Sequence, residues 1–191
     1  MAVIAGNFKG GPDNGRVVLK TGRVGFAAKA GHDLTIEVTR WSADIAVPDD
    51  GDLSAATVTA ELDLGSLTVK EGSGGARPLS DSDRRDIQST IGKILGGAGS
   101  SGGGPAKATF RSTKVVPAGG GGAIEGMLTI NGRSRHVRLQ LTAPEPGRYR
   151  GGLSVVQSEF GIKPYTGFFG ALKLRDDVAV EFELDLTKAE A

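Results

Sequence analysis

The sequence predicts an all-β fold, an antiparallel β-barrel of about eight strands with one helix at its side over about residues 81–95. Three observations predict it. Apolar residues recur with period two along most of the chain, the spacing of strands with one buried face. Asn131-Gly132 separates two such runs, and both central positions of a type I′ turn need positive φ, so the pair marks a two-residue hairpin. A single segment, "SDSDRRDIQSTIGKILGG", carries a clear helical stripe. Strands with one apolar face must close or stack to hide that face and their edges, and about eight in one short chain suit an up-and-down barrel.

The strands follow in order. Val17-Leu19 opens the series. Val24, Phe26 and Ala28 alternate with Gly25, Ala27 and Lys29, and Leu34, Ile36 and Val38 with Thr35, Glu37 and Thr39. Trp41, Ala43, Ile45 and Val47 then continue at odd positions, a change of phase that predicts a β-bulge near Arg40-Trp41 and a bend in the strand. Val58, Ala60, Leu62 and Leu64 form the next run, then Ala108, Phe110 and Ser112, then Ile124, Gly126, Leu128 and Ile130 up to the hairpin. Val137, Leu139 and Leu141 return from it, followed by Leu153 and Val155 and by Val178, Val180, Phe182, Leu184 and Leu186. In the helix Ile87, Ile91, Ile94 and Leu95 share a face, Ser80 is a good N-cap with Asp83 at N3, and Gly96 suits the position after the C-terminus. A shorter turn is expected within 164–174, "PYTGFFGALKL". The glycine blocks 96–104 and 119–122 read as flexible loops. No linker or repeat divides the chain, so 1–191 reads as one domain with its core over about 15–187.

Composition narrows the function. Lys and Arg number 23 against 22 Asp and Glu, so there is no basic footprint for nucleic acid. Arg133, Arg135 and Arg138 are split between strand faces. The absence of cysteine excludes disulfides, thiolate chemistry and Cys-based zinc sites. The N-terminal stretch lacks the pattern of a signal peptide, and no run reaches the roughly 20 apolar residues of a membrane span, so a soluble, cytoplasmic protein is expected. There is no GxSxG, HExxH or phosphate-binding glycine motif. Glu61, Asp63, Glu181, Glu183 and Asp185 alternate with apolar residues and face solvent, leaving no acid–base pair in a cleft. No catalytic residue, metal site or cofactor is expected.

A barrel of eight strands is either filled by side chains or holds one small ligand. The inward positions include Ala28, Ala43, Ala60, Ala108 and Gly126, and the chain has few rings. Such small residues leave volume for an apolar ligand unless tighter coiling removes it. His32, in "AGHDLTIEV", is either a donor or metal ligand at the barrel mouth or a turn histidine bonded to backbone; His136 faces solvent. Arg84 and Arg85 either pair structurally with a carboxylate or touch a ligand's head group. Phe160 reads as core. Tyr165, Phe168 and Phe169 either gate the pore or pack beneath a loop, and Trp41 reads as a plug at one end.

Phe110-Arg111-Ser112, the Gly126-x-Leu128-Thr129-Ile130-x-Gly132 hairpin with "RHVRLQL" after it, Arg85-Asp86 before the helical stripe, Gly25-Phe26 and Glu159-Phe160-Gly161-Ile162 together resemble the YceI family over about residues 15–187. The resemblance implies a lipocalin-like, extended eight-stranded barrel with a long pore. It also implies binding of a polyisoprenoid such as an isoprenoid quinone or prenyl pyrophosphate, often as a homodimer and, in many members, in the periplasm. On that basis the expected pore residues are Val24, Phe26, Ala28, Leu34, Ile36, Ala60, Phe110, Leu128, Leu139, Val155, Phe160, Tyr165 and Phe168, with His32 and Arg85 at the head group. The family's His-Leu after Arg-Asp is here Ile87-Gln88, and its histidine after the early lysine is here displaced to His32. A carrier that does not turn its ligand over is the expected function. The alternatives are an interaction module with a filled barrel and an enzyme on an amphiphilic substrate with His32 or Tyr165 as acid or base.

Overall fold

The computed structural model describes residues 5–97 and 106–188. Eight stretches of chain run antiparallel to their neighbours. Three are broken in the middle: β1 (Gly6–Gly10) and β2 (Gly15–Lys20) make the first, β4 (Asp33–Val38) and β5 (Trp41–Val47) the second, β6 (Thr57–Asp63) and β7 (Leu67–Ser73) the third. Unbroken ones follow: β8 (Lys107–Ala118), β9 (Gly121–Ile130), β10 (Arg133–Glu145), β11 (Arg148–Val156) and β14 (Asp177–Asp185). Counted singly, the main sheet has eleven strands in the order β1-β5-β6-β8-β9-β10-β11-β14-β2-β4-β7. The expected eight are the eight stretches; the higher count comes from the breaks. The circuit returns on itself, because β2 pairs with β4 and the chain of β4 runs on into β5, which pairs with β6. The result is the strongly curled antiparallel sheet of a lipocalin-like fold.

The breaks lie at one level of the wall and are held by polar contacts. The Arg40 backbone N–H donates to Ser66 Oγ at 2.9 Å, and that hydroxyl donates to the Asp63 carbonyl at 2.7 Å. Thr39 Oγ1 donates to the Ser66 carbonyl at 2.9 Å. The Arg40 side chain binds Asp63 Oδ2 at 2.8 and 2.9 Å, and the Gly65 N–H donates to Asp63 Oδ1 at 2.8 Å. Ser66 is buried, and no buried side-chain polar atom among the described residues lacks a partner. The predicted change of phase at Arg40-Trp41 is this joint.

Below the joint β7 has, among the described residues, no strand on its outer side. Helix α1 (Asp81–Gly97) lies there. Arg84 Nη1 donates to the Lys70 carbonyl and Gln88 Nε2 to the Leu67 carbonyl, so the helix satisfies the edge that would otherwise be open. Its apolar face divides. Ile87, Ile91 and Leu95 pack on the cluster of Val17, Leu34, Ile36, Val38, Leu67 and Val69. Ile94 and Leu95 pack on the cluster of Leu64, Ala108, Phe110 and Phe160. At its start the Asp83 N–H donates to Ser80 Oγ at 3.1 Å while the Ser80 N–H donates to Asp83 Oδ2 at 2.9 Å, the reciprocal pair of a capping box.

Asn131 and Gly132, at φ 49° and 79°, make the expected turn between β9 and β10. Two expectations change. The run Val24–Ala28 is not a barrel strand. β3 (Arg23–Val24) pairs with β13 (Leu172–Leu174), which pairs with β12 (Thr166–Gly167), in a small separate sheet. The chain then turns at Gly25, whose φ of 102° and approach to the Ala171 carbonyl leave no room for a side chain: a Cβ there would sit 2.3 Å from that oxygen. Ala28–Ala30 is a short 3-10 turn. Of the glycine blocks, residues 98–104 lie outside the described residues. Gly121 and Gly122 belong to β9 rather than to a loop.

Ser66→Ala is expected to lower unfolding free energy by about 1 kcal/mol, because it leaves the part-buried Arg40 N–H and Asp63 carbonyl without the Ser66 hydroxyl. Urea unfolding followed by circular dichroism checks this; a change within error would show that the joint does not depend on Ser66.

Candidate functional site

The interior is not filled by side chains. A cavity of about 1320 Å³ runs through it. Every barrel stretch supplies residues to the wall, mostly alternate ones, among them Val17 and Leu19; Leu34, Ile36 and Val38; then Trp41, Ala43, Ile45 and Val47; Val58, Ala60 and Leu62; Leu139 and Leu141; Val178, Val180, Phe182 and Leu184. From Asp33 to Val47 the chain covers roughly 45 Å at about 3.3 Å per residue, or some 35 Å along the barrel axis at a tilt of roughly 40°. The helix is part of this wall through Ile87, Thr90, Ile91, Ile94 and Leu95.

The two ends differ chemically. One is ringed by Phe8, Val47, Leu53, Pro117, Gly119–Gly122, Pro146 and Leu186, with Glu145 as the single charge. The other holds His32, Arg77, Asp83, Asp86, Gln157, Tyr165 and Phe168. There the groups are organised. Arg77 clasps Asp83 with two hydrogen bonds of 2.9 Å. His32 Nε2 lies 2.7 Å from the Arg77 carbonyl oxygen. A carbonyl only accepts, so Nε2 carries the proton and a neutral ring keeps Nδ1 as an acceptor. The Ser80 hydroxyl and N–H and then the Arg77 guanidinium hold the Asp83 carboxyl well below the usual carboxylate range.

Leu34, Ile36, Ala60, Phe110, Leu128, Leu139, Val155, Tyr165, Phe168 and His32 are all on the cavity wall. Five expected positions are not. Val24 and Phe26 are exposed, Phe26 fully, because their strand left the barrel. Ala28 is in the 3-10 turn. Phe160 is 1 % exposed, but in the core behind the wall. Arg85 is exposed on the outer side of the helix, and its neighbour Arg84 is the one that binds backbone. Trp41 is at the joint in mid-barrel rather than at an end. His136 is exposed. Arg77 and the inward role of Asp83 were missed. The Ser80-x-x-Asp83 pattern marked the helix start but gave no sign that Arg77 would reach across it. Among the described residues no three His, Asp or Glu converge as a metal site, and no helix is long and apolar enough to cross a membrane.

The chain matches the YceI-like domain over residues 16–186. It belongs to the YceI-like family. Among solved structures it is similar to BcnA of Burkholderia cenocepacia, with a TM-score of 0.60 and 18% identity over 89% of this chain and 94% of that one. It is also similar to two mutants of a Campylobacter jejuni YceI protein. One has a TM-score of 0.54 and 14% identity over 78% of this chain and 81% of that one. The other, at 0.53 and the same identity and coverage, was crystallised with a monobromobimane guest. These likenesses show the fold. Comparison with curated proteins finds no match.

Asp83 has a folded-state pKa below its ordinary 3.8. Its ionised form therefore stabilises the folded chain above that value, and the contribution is lost as pH falls through it. Asp83→Asn is expected to lower stability near neutral pH and to flatten the acid limb of the stability profile. Urea melts across a pH series check this; an acid limb of unchanged steepness would remove Asp83 from the account.

Proposed function

We propose that the barrel holds one long apolar chain carrying a polar head, of the isoprenoid class, and does not turn it over. The tail lies along the cavity and the head sits at the His32–Arg77–Asp83 end. The observation that carries this is the shape and polarity of the cavity: about 1320 Å³, aliphatic along its length, with organised polar groups at one end. That volume exceeds the usual 300–1,000 Å³ of compact small-molecule sites and suits an extended ligand. About twenty buried carbons at roughly 0.8 kcal/mol each contribute some 16 kcal/mol. This matches or exceeds the roughly 4–15 kcal/mol that association costs. No directional contact along the tail is required. Membership of the YceI-like family and the fold support a binding barrel.

The charges at the polar end bear on the head group. Arg77 is committed to Asp83, and Arg85 is not on the wall. A neutral acceptor or donor, as in an isoprenoid quinone, meets His32 and Tyr165 more readily than a pyrophosphate would, whose charge lacks a free arginine. The cavity also counts against a filled barrel working only through its surface.

Native mass spectrometry of the purified protein, followed by denaturing extraction, is expected to release an apolar species of isoprenoid mass. A mass unchanged after incubation with isoprenoid quinones and prenyl pyrophosphates would overturn the reading. Ala60, on the wall between its strand neighbours Ala43 and Phe110, offers a steric test. Ala60→Trp is expected to weaken quinone binding by about tenfold or more with the chain still folded. Unaltered binding by that variant would place the ligand elsewhere.

A further inference from the structure

The lip of the cavity at its polar end carries aromatic rings that nothing among the described residues covers. Phe26 and Phe169 are 106 % and 113 % exposed, so their rings stand free of the surface, and Phe168 is 62 % exposed. The two loops that present them are tied together: the Ala27 N–H donates to the Ala171 carbonyl at 3.0 Å. Phe168 and Phe169 both have positive φ, 49° and 54°. Bulky residues are rarely found there, and such strain gathers at functional sites. Ala30, Gly31, Tyr165, Phe168 and Leu172, from the same two loops and the small sheet, line the cavity mouth. Around them Lys29, Lys163 and Lys173 are exposed. None has an ion-pair partner among the described residues, whereas Arg23 and Arg175 are paired with Asp33 and Asp177.

We propose that this lip docks on an anionic lipid bilayer, with Phe26, Phe168 and Phe169 in the interfacial layer and the three lysines over anionic head groups. Exposed aromatic rings beside lysines are the composition of interfacial anchors, and each lysine adds attraction to a negative surface. The same lysines oppose a second copy of the chain, which would bring three more positive charges against them. A bilayer also presents an apolar ligand to the opening without passage through water. That purpose rests on the carrier reading; the docking itself does not.

The test is flotation with vesicles of phosphatidylcholine alone and of phosphatidylcholine mixed with phosphatidylglycerol. It is combined with uptake of an isoprenoid quinone offered from vesicles or from cyclodextrin. The protein is expected to float with the anionic vesicles, and less so as salt rises. Phe26→Ser with Phe169→Ser is expected to cut vesicle affinity by about tenfold or more. Lys29→Glu with Lys173→Glu is expected to cut it by about fivefold or more per charge. These side chains are exposed, so melting temperature is expected to hold. The phenylalanine variant is expected to keep uptake from cyclodextrin and lose uptake from vesicles. Failure of the native protein to float, or equal flotation by all variants, would overturn the proposal. So would a dimer in solution that Phe169→Ser dissociates, since a second copy would then cover the lip. Flotation without quinone uptake from either source would uphold docking and overturn the carrier reading instead.

Discussion

The barrel depends on the polar joint between Thr39-Arg40 and Asp63–Ser66. Two long neighbouring stretches bend there together. Above it β5 lies between β1 and β6; below it β4 lies between β2 and β7. The same three stretches stay neighbours across the bend, while below it the third diverges from the fourth. The joint also shifts the inward set from even to odd positions, which keeps the wall apolar on both sides of the bend. A buried serine is well suited to this place. A single hydroxyl accepts from one strand and donates to the other, binding two backbone groups that the interrupted ladder leaves unpaired.

The cavity follows from the same closure. Eight stretches set a circumference that the inward residues do not fill. Ala43, Ala60, Ala108 and Ala123 on its wall are small. Tighter coiling would remove the space, but the helix occupies the gap beside β7 and adds a rigid section of wall instead. Atoms lining such a space forgo dispersion contacts that a filled core would have. The hydrogen-bonded ring and the two clusters beneath the helix hold the fold without them. An apolar occupant would restore those contacts and stabilise the fold in proportion to its affinity.

Much of the barrel was legible because strand periodicity is local. Runs such as Leu34–Val38, Val58–Leu62 and Val178–Leu184 need only their own alternation to assign inward and outward sides. The phase change at Trp41 and the Asn131-Gly132 turn are equally local. The errors share a different cause. Val24, Phe26 and Ala28 have the same alternation, but Gly25 packs against the Ala171 carbonyl from a loop about 145 residues away, and no local pattern reports that. Phe160 obeys the hydrophobic rule yet sits behind the wall, since apolarity does not distinguish core from lining. The stripe Ile87, Ile91, Ile94, Leu95 identified the helix, but not that its buried face would also bound the cavity.

The polar end of the cavity and the start of the helix are one structure. Asp83 caps α1 through Ser80 and holds Arg77, whose carbonyl receives His32 from just before the neighbouring strand β4. One turn further on, Arg84 and Gln88 close the edge of β7. Helix capping, edge protection and placement of the groups at the mouth therefore use residues close together in sequence. The opposite end is lined, among the described residues, mainly by turns rich in glycine and proline. The contacts that complete the fold at the polar end are thus also the ones that make the two ends of the cavity unlike.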